Sequence, residues 1–183
     1  MQKVEFIIGS PRKRGNTAIL AETLNKQLDK ERFTSNFTFL YDFEIKACTD
    51  CRGCKSGNLT CIVEDEMQEL NKRIDAADIL VFGTPIYWFT PTAKMKSVLD
   101  RLRPYYGGDK LANKKMVILL PAGVGEKDCD LTIEMFKRMA RSLKLEFIGT
   151  VTSKAYDIGD AKKDKKAMAA ITELANQINK IIL

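Results

Sequence analysis

Histidine is absent from these 183 residues. That excludes a Ser-His-Asp triad, a Cys-His nucleophile and any histidine-ligated metal. A long hydrophobic run is missing too. The longest, Ile79 to Phe89, is interrupted by Gly83, Thr84 and Pro85 and falls short of the ~20 residues that cross a bilayer, so no membrane partner is expected. The opening stretch MQKVEFIIGSPRK places Glu5 inside its short apolar run and has no small-residue cleavage site. It does not read as a signal peptide, and the expected location is cytoplasmic. Linkers, repeats and low-complexity segments are also lacking. Basic tracts interleaved with aromatics are absent: 30 basic and 24 acidic residues give a net charge of +6, spread along the chain. No nucleic-acid partner is expected, although a moderate positive charge suits phosphate ligands.

What is present reads as one domain over residues 1–183, since a domain takes roughly 150 residues. Hydrophobic residues make up 45% and charged residues 30%, so disorder is a poor reading. Apolar runs alternate with helix-period segments throughout. The runs are Lys3–Ile8, Phe33–Phe43, Asp78–Phe82, Lys115–Leu120 and Leu145–Val151. The intervening helical patterns are Thr17–Leu28, a helix capped by Asp65 that carries Met67, Leu70 and Ile74, and a helix opened by Thr90-Pro91 that carries Met95, Val98, Leu99 and Leu102. Asp128–Ser142 follows, with Leu131, Met135, Phe136, Met139 and Leu143 inward. A last helix capped by Asp160 carries Met168, Ile171, Leu174, Ile178, Ile181 and Ile182. Strands one, three and four are continuous apolar runs, as in strands buried on both faces. The expected fold class is α/β, a doubly wound five-stranded parallel sheet. Residues 44–64, after the second strand, are too long for an ordinary loop and read as a cysteine-rich insertion.

In such a sheet, ligands sit at the carboxyl ends of the strands. The first strand runs into Gly9-Ser10-Pro11-Arg12-Lys13-Arg14-Gly15-Asn16-Thr17 and then a helix. That loop offers hydroxyls, an amide and cations beside a helix N-terminus, which suits an anion. It fails the Walker and GxGxxG spacings. The third strand ends in Gly83-Thr84-Pro85-Ile86-Tyr87-Trp88-Phe89, whose aromatics suit either a flat ring or a dimer patch. The fourth ends in Pro121-Ala122-Gly123-Val124-Gly125, small enough for close approach by a planar ligand, or else a plain turn. Receiver domains share this topology but need carboxylates where this chain has Gly9-Ser10 and Gly83-Thr84.

GSPRKRGNT, GTPIYWF and the following TAKMKSVLDRL resemble the flavodoxin-like NAD(P)H-dependent FMN reductases, and the order of elements is similar over essentially the whole chain. The resemblance implies a flavodoxin-like strand order, 2-1-3-4-5, and bound FMN. It implies that Ser10, Arg12, Asn16 and Thr17 hold the phosphate, and that Pro85, Ile86, Tyr87, Trp88 and Phe89 border the isoalloxazine ring. Ala122 and Gly123 complete the expected cofactor site. It also implies a homo-oligomer, a dimer or tetramer, because the family commonly builds its site at a dimer interface.

Four of the five cysteines fall together as Cys48, Cys51, Cys54 and Cys61. In a cytosolic chain this favours metal or redox chemistry over structural disulfides. The C-x2-C-x2-C-x6-C spacing is nearer to ferredoxin-type ligation than to paired zinc knuckles, though no proline follows Cys61. It resembles the compact motif of the iron-sulfur flavoproteins, a branch of the same family, which implies a [4Fe-4S] cluster beside FMN. Redox-active thiols in a lid and a zinc site stand as alternatives. Cys129 lies alone and reads as structural, and Lys162, Lys163, Lys165 and Lys166 read as a solvated face. The expected function is an FMN oxidoreductase taking hydride from NAD(P)H and passing electrons to a small-molecule or protein acceptor. The alternatives are a non-enzymatic electron carrier and a zinc-stabilised binding module.

Overall fold

A computed structural model describes residues 1–55 and 60–181. Ile182, expected on the last helix, and residues 56–59 of the cysteine segment lie outside the described residues. The elements in chain order are β1 (Gln2–Ile8), α1 (Asn16–Gln27), β2 (Phe33–Phe39), α2 (Met67–Ala76), β3 (Ile79–Gly83), β4 (Ile86–Tyr87), β5 (Thr90–Pro91), α3 (Ala93–Asp100), β6 (Lys115–Ala122), α4 (Asp130–Ser142), β7 (Glu146–Lys154) and α5 (Lys165–Lys180). Five strands form one parallel sheet in the order β2-β1-β3-β6-β7. This is the expected α/β doubly wound architecture with the 2-1-3-4-5 order of its core strands. β4 and β5 are a separate two-residue antiparallel pair.

Alternation along the central strands sends side chains to two cores. Val4, Phe6, Ile8, Ile79, Val81, Val117 and Leu119 face Leu20 and Leu24 of α1 and Ile171, Leu174 and Ile178 of α5. Ile7, Leu80, Phe82, Met116, Ile118 and Leu120 face α2, α3 and α4 through Leu70, Ile74, Met95, Val98 and Phe136. Each fully buried Leu, Ile or Phe contributes about 1.5–3 kcal/mol relative to exposure. Truncating one such as Leu24 to Ala costs about 2–5 kcal/mol.

Several element ends differ from the sequence expectation. β2 stops at Phe39 instead of Phe43, because its ladder partner β1 ends at the matching Ile8, and Leu40–Asp42 turns into a short 3-10 helix. Thr90 and Pro91 do not open α3. They pair with Ile86 and Tyr87, and Thr92 is the cap, its hydroxyl accepting from the Met95 amide at 3.2 Å. Leu102 lies beyond the helix end yet is buried. α4 starts at Asp130, after a 3-10 turn at Glu126–Asp128, and Leu131 is exposed while Thr132 takes the inward place. Asp160 begins a 3-10 turn, and Asp164 caps α5 by accepting from the Ala167 amide. The N-cap of α2 is Glu66, one residue after the expected Asp65, although Asp65 still serves the first turn, its Oδ1 accepting from the Met67 amide at 3.0 Å. Among the described residues no helix is long and apolar enough to cross a membrane.

Candidate functional site

The strand order reverses between β1 and β3, and the loops leaving β1, β3 and β6 meet there. Hydrogen bonds zip them together: the Gly9 amide donates to Gly83 O at 2.7 Å, Thr84 to Leu119 O at 3.0 Å and Ala155 to Ala122 O at 2.8 Å. Backbones pack this closely only without side chains. A Cβ on Gly9 would lie 2.8 Å from Met95 Cβ, and one on Gly83 would lie 2.9 Å from Thr17 Cγ2.

A cleft of about 330 Å³ opens at this edge. Its walls bring together Ser10, Arg12, Asn16 and Thr17 from the first loop, Pro85, Ile86 and Tyr87 from the second, and Ala122 and Gly123 from the third. α1 points its N-terminus into it. Gly15 is the N-cap, and no side chain caps the helix, so the first-turn amides are available to an anion. Ser10 and Thr17 are buried, whereas Arg12 is exposed at the rim. Lys13 is drawn off to Asp42 at 2.8 Å.

The Asn16 side chain, expected on the phosphate, is tied instead to the loop after β7. Its Nδ2 donates to Asp157 O at 2.9 Å, and its Oδ1 accepts from the amides of Gly159 and Ala161 at 3.0 and 3.2 Å. It pins the loop after β7, which contributes Tyr156 and Ile158 to the cleft. Those two residues were not anticipated. The available signal was two large apolar residues in a loop at the carboxyl end of the last strand.

Trp88 and Phe89 do not line the cleft. They form the tip of the β4–β5 turn with φ of 50° and 66°, a left-handed conformation that bulky residues adopt at a cost of about 1–3 kcal/mol each. Trp88 is 91% exposed, and Thr132 Oγ1 anchors the tip by donating to Phe89 O at 3.0 Å.

The cysteine segment builds a second cleft, about 350 Å³, lined by Cys48, Cys51, Cys54 and Cys61 together with Arg52, Lys55, Arg101 and Arg103. All four thiols are free. Among the described residues no three potential ligands stand close enough together to hold a metal ion. Asp50 and Arg52, between the first three cysteines, have positive φ and curl the backbone tightly.

Beneath this cleft lies a buried ion pair the sequence reading missed. Arg101 Nη1 pairs with Asp65 Oδ2, with side chains 1% and 2% exposed. Nη1 also reaches Lys46 O at 3.3 Å, and Nη2 donates to Val63 O at 3.0 Å and to Cys61 Sγ at 3.4 Å. Burial pushes the Asp65 carboxyl upward. The Arg101 guanidinium and the amides of Lys46 and Met67 outweigh it and hold the group below the usual carboxylate range. The spacing held a clue, since Arg101 follows Met95 and Val98 on the inward stripe of α3. Cys129 is fully buried, and burial, helped by Asp128, Glu126 and Asp130, pushes its thiol up to about 12.

Comparisons with known proteins bear on the family and the fold. An iron-sulfur flavoprotein of Archaeoglobus fulgidus is 30% identical over 135 residues, which is 69% of this chain and 57% of that protein. Iron-sulfur flavoprotein MJ1083 of Methanocaldococcus jannaschii is 35% identical over 112 residues, 61% of this chain and 58% of that one. The chain thus matches under three-fifths of the length of these two relatives. An NAD(P)H:quinone oxidoreductase from Methanothermobacter marburgensis shares the fold, with TM-score 0.72, 19% identity, and coverage of 100% of this chain and 99% of that one. A sequence profile described as NADPH-dependent FMN reductase matches residues 2–155. The chain belongs to the NADPH-dependent FMN reductase family.

Proposed function

We propose that this chain is an oxidoreductase that binds FMN in the first cleft, takes hydride from NAD(P)H and passes electrons to an external small-molecule or protein acceptor. The observation that carries this reading is the uncapped N-terminus of α1 beside Ser10, Arg12 and Thr17 in a cleft at the strand-order reversal. The donor set fits a phosphate. The first-turn amides of α1 and two hydroxyls would hold it at the buried end, and Arg12 would cover it from the rim. Pro85, Ile86 and Tyr87 on one side and Ala122, Gly123 and Tyr156 on the other would enclose the ring. Bound FMN would supply hydride acceptance and release of single electrons. The chain positions, desolvates and needs no histidine to move a proton.

Cys48, Cys51, Cys54 and Cys61 match a [4Fe-4S] cluster in kind and number and line one cleft with four cationic side chains that offset thiolate charge, but among the described residues no three of them stand close enough together to hold a metal ion, so a cluster would have to draw them together. The named iron-sulfur relatives support the same assignment. A homo-oligomer, dimer or tetramer, would cover the exposed Trp88, Phe89, Leu131, Tyr156 and Ile158 around the first cleft.

Anaerobic mixing of the FMN-loaded protein with NADPH and with NADH tests the proposal. Loss of the flavin's visible absorbance within seconds, with one nucleotide oxidised per flavin, is expected. A flavin that stays oxidised with both nucleotides but accepts electrons from a reduced protein would make the chain an electron carrier.

A further inference from the structure

An open cleft of about 470 Å³ adjoins the first one, at the end of β7 and the start of α5. Gly123 and Tyr156 line both clefts. Tyr156 is 85% exposed, and its ring rests on Gly123, where an added Cβ would lie 3.2 Å from Tyr156 Cδ2. Three lysines, Lys154, Lys163 and Lys165, and two aspartates, Asp160 and Asp164, complete the adjoining cleft. The carboxylates are already engaged by the protein. Asp164 Oδ1 accepts from the Ala167 amide at 3.0 Å, and its Oδ2 accepts from the Lys154 amide and from Ser153 Oγ at 2.8 and 3.1 Å. Asp160 Oδ2 accepts from the Asp157 amide at 2.8 Å, and its Oδ1 accepts from Lys163 Nζ at 3.0 Å. Lys154 and Lys165 are exposed, and among the described residues their ammonium groups have no partner. Two free cations in a cleft against the flavin site favour an anion there. The Trp88–Phe89 tip offers no such charge, since residues 86–91 are all uncharged.

We propose that this adjoining cleft is the subsite for the 2′-phosphate of NADPH, read by Lys154 and Lys165, and that it makes the chain prefer NADPH to NADH. The inference rests on the hydride reading above. With FMN in the first cleft, a dinucleotide donor has room there only for its nicotinamide ring, so its adenosine end lies on neighbouring surface. Tyr156 offers that end an exposed aromatic ring, and the free ammonium groups of Lys154 and Lys165 offer point charges to a phosphate. NADH delivers the same hydride but lacks that phosphate, and it gains nothing from the two lysines. The contact is remote from the reacting atoms and equal in ground and transition states, so it lowers KM and leaves kcat alone.

The test uses the full FMN-loaded chain as wild type, as the double variant Lys154→Gln with Lys165→Gln, and as Lys162→Gln, an exposed lysine outside the cleft. Anaerobic flavin reduction is followed over a range of NADPH and of NADH. Wild type should reach its half-maximal rate at about tenfold lower NADPH than NADH, the low end for charged hydrogen bonds because both lysines are solvated. The double variant should lose that preference through a raised KM for NADPH, with kcat unchanged for both nucleotides, and Lys162→Gln should keep it. Titration calorimetry with adenosine 2′,5′-bisphosphate and adenosine 5′-phosphate reads the subsite without hydride transfer. Wild type should bind the bisphosphate about tenfold more tightly, and the double variant should bind the two alike. Equal affinity of wild type for the two adenosine phosphates overturns the inference, and this titration decides if the two readouts disagree. A preference that survives in the double variant, or that Lys162→Gln loses equally, overturns it as well. A flavin reduced by neither nucleotide overturns the hydride reading and the inference with it, whereas reduction by NADH and NADPH at equal concentrations overturns the inference alone.

Discussion

Thr92 Oγ1 donates a 2.7 Å hydrogen bond to the carbonyl oxygen of Gly9. The start of α3 is thereby fastened to the loop that would hold the FMN phosphate. The same hydroxyl accepts from the Met95 amide, and the Thr92 amide donates to Thr84 Oγ1 at 3.2 Å. Nine residues on, at ~1.5 Å per residue and so about 13 Å away, α3 ends at Arg101 beneath the cysteine cleft. One short rigid helix therefore has an end at each of the two candidate redox sites.

Thr92→Val keeps the shape and removes the hydroxyl. Loss of the cap and of the bond to Gly9 should cost about 1–3 kcal/mol, read by urea unfolding. FMN affinity should fall as well, because the Gly9 loop loses its anchor. An unchanged unfolding midpoint would show that the Thr92–Gly9 bond contributes nothing.

Asn16→Ala removes three hydrogen bonds to the loop after β7. Because that loop supplies Tyr156 and Ile158 to the ring end of the cleft, affinity for FMN and for riboflavin should fall together. Isothermal titration with both flavins checks this. A loss confined to FMN would place the Asn16 side chain on the phosphate instead.

Asp65→Asn breaks a buried pair and leaves Arg101 unmatched, which should destabilise the protein by about 3–5 kcal/mol at neutral pH. The folded-state pKa of Asp65 is depressed, so its contribution is present above the unfolded value of about 3.9 and is lost as pH falls through the folded value. The stability gap between wild type and Asp65→Asn should narrow in strong acid. A gap that is constant from neutral pH to below pH ~3 would show that the Asp65 charge is not what matters.

Each of Cys48→Ala, Cys51→Ala, Cys54→Ala and Cys61→Ala should lower bound iron after anaerobic reconstitution, while Cys129→Ala should not. FMN content should survive in all five, since the first cleft contains no cysteine. In metal-free native protein Cys129 should resist alkylation, being buried with its thiol pushed up to about 12. Iron content indifferent to all four clustered substitutions would leave that segment a thiol-bearing lid, provided zinc is absent too.

The sheet was legible because its central strands are unbroken apolar runs, and the first cleft because its donors sit contiguously in GSPRKRGNT. Other features depend on contacts distant in sequence. Asn16 meets Asp157 across 141 positions, and Arg101 meets Cys61 across 40; neither pairing has a local signature. Thr90-Pro91 has the composition of a helix start, but pairing with Ile86 and Tyr87 prevails and moves the cap to Thr92. The left-handed Trp88-Phe89 turn runs against the preference of bulky residues, so local propensity points away from it.

The central claim is that the cleft between the β1, β3 and β6 loops holds FMN by its phosphate. Titration of the flavin-free protein with FMN and with riboflavin, in wild type and in Arg12→Ala, addresses it most directly. Wild type should bind FMN at least about tenfold more tightly than riboflavin, since a hydrogen bond to a charged group contributes roughly 1.5–3 kcal/mol. Arg12→Ala should weaken FMN by a comparable factor and leave riboflavin untouched. Equal affinity of wild type for the two flavins, or equal losses in the variant, would contradict the assignment.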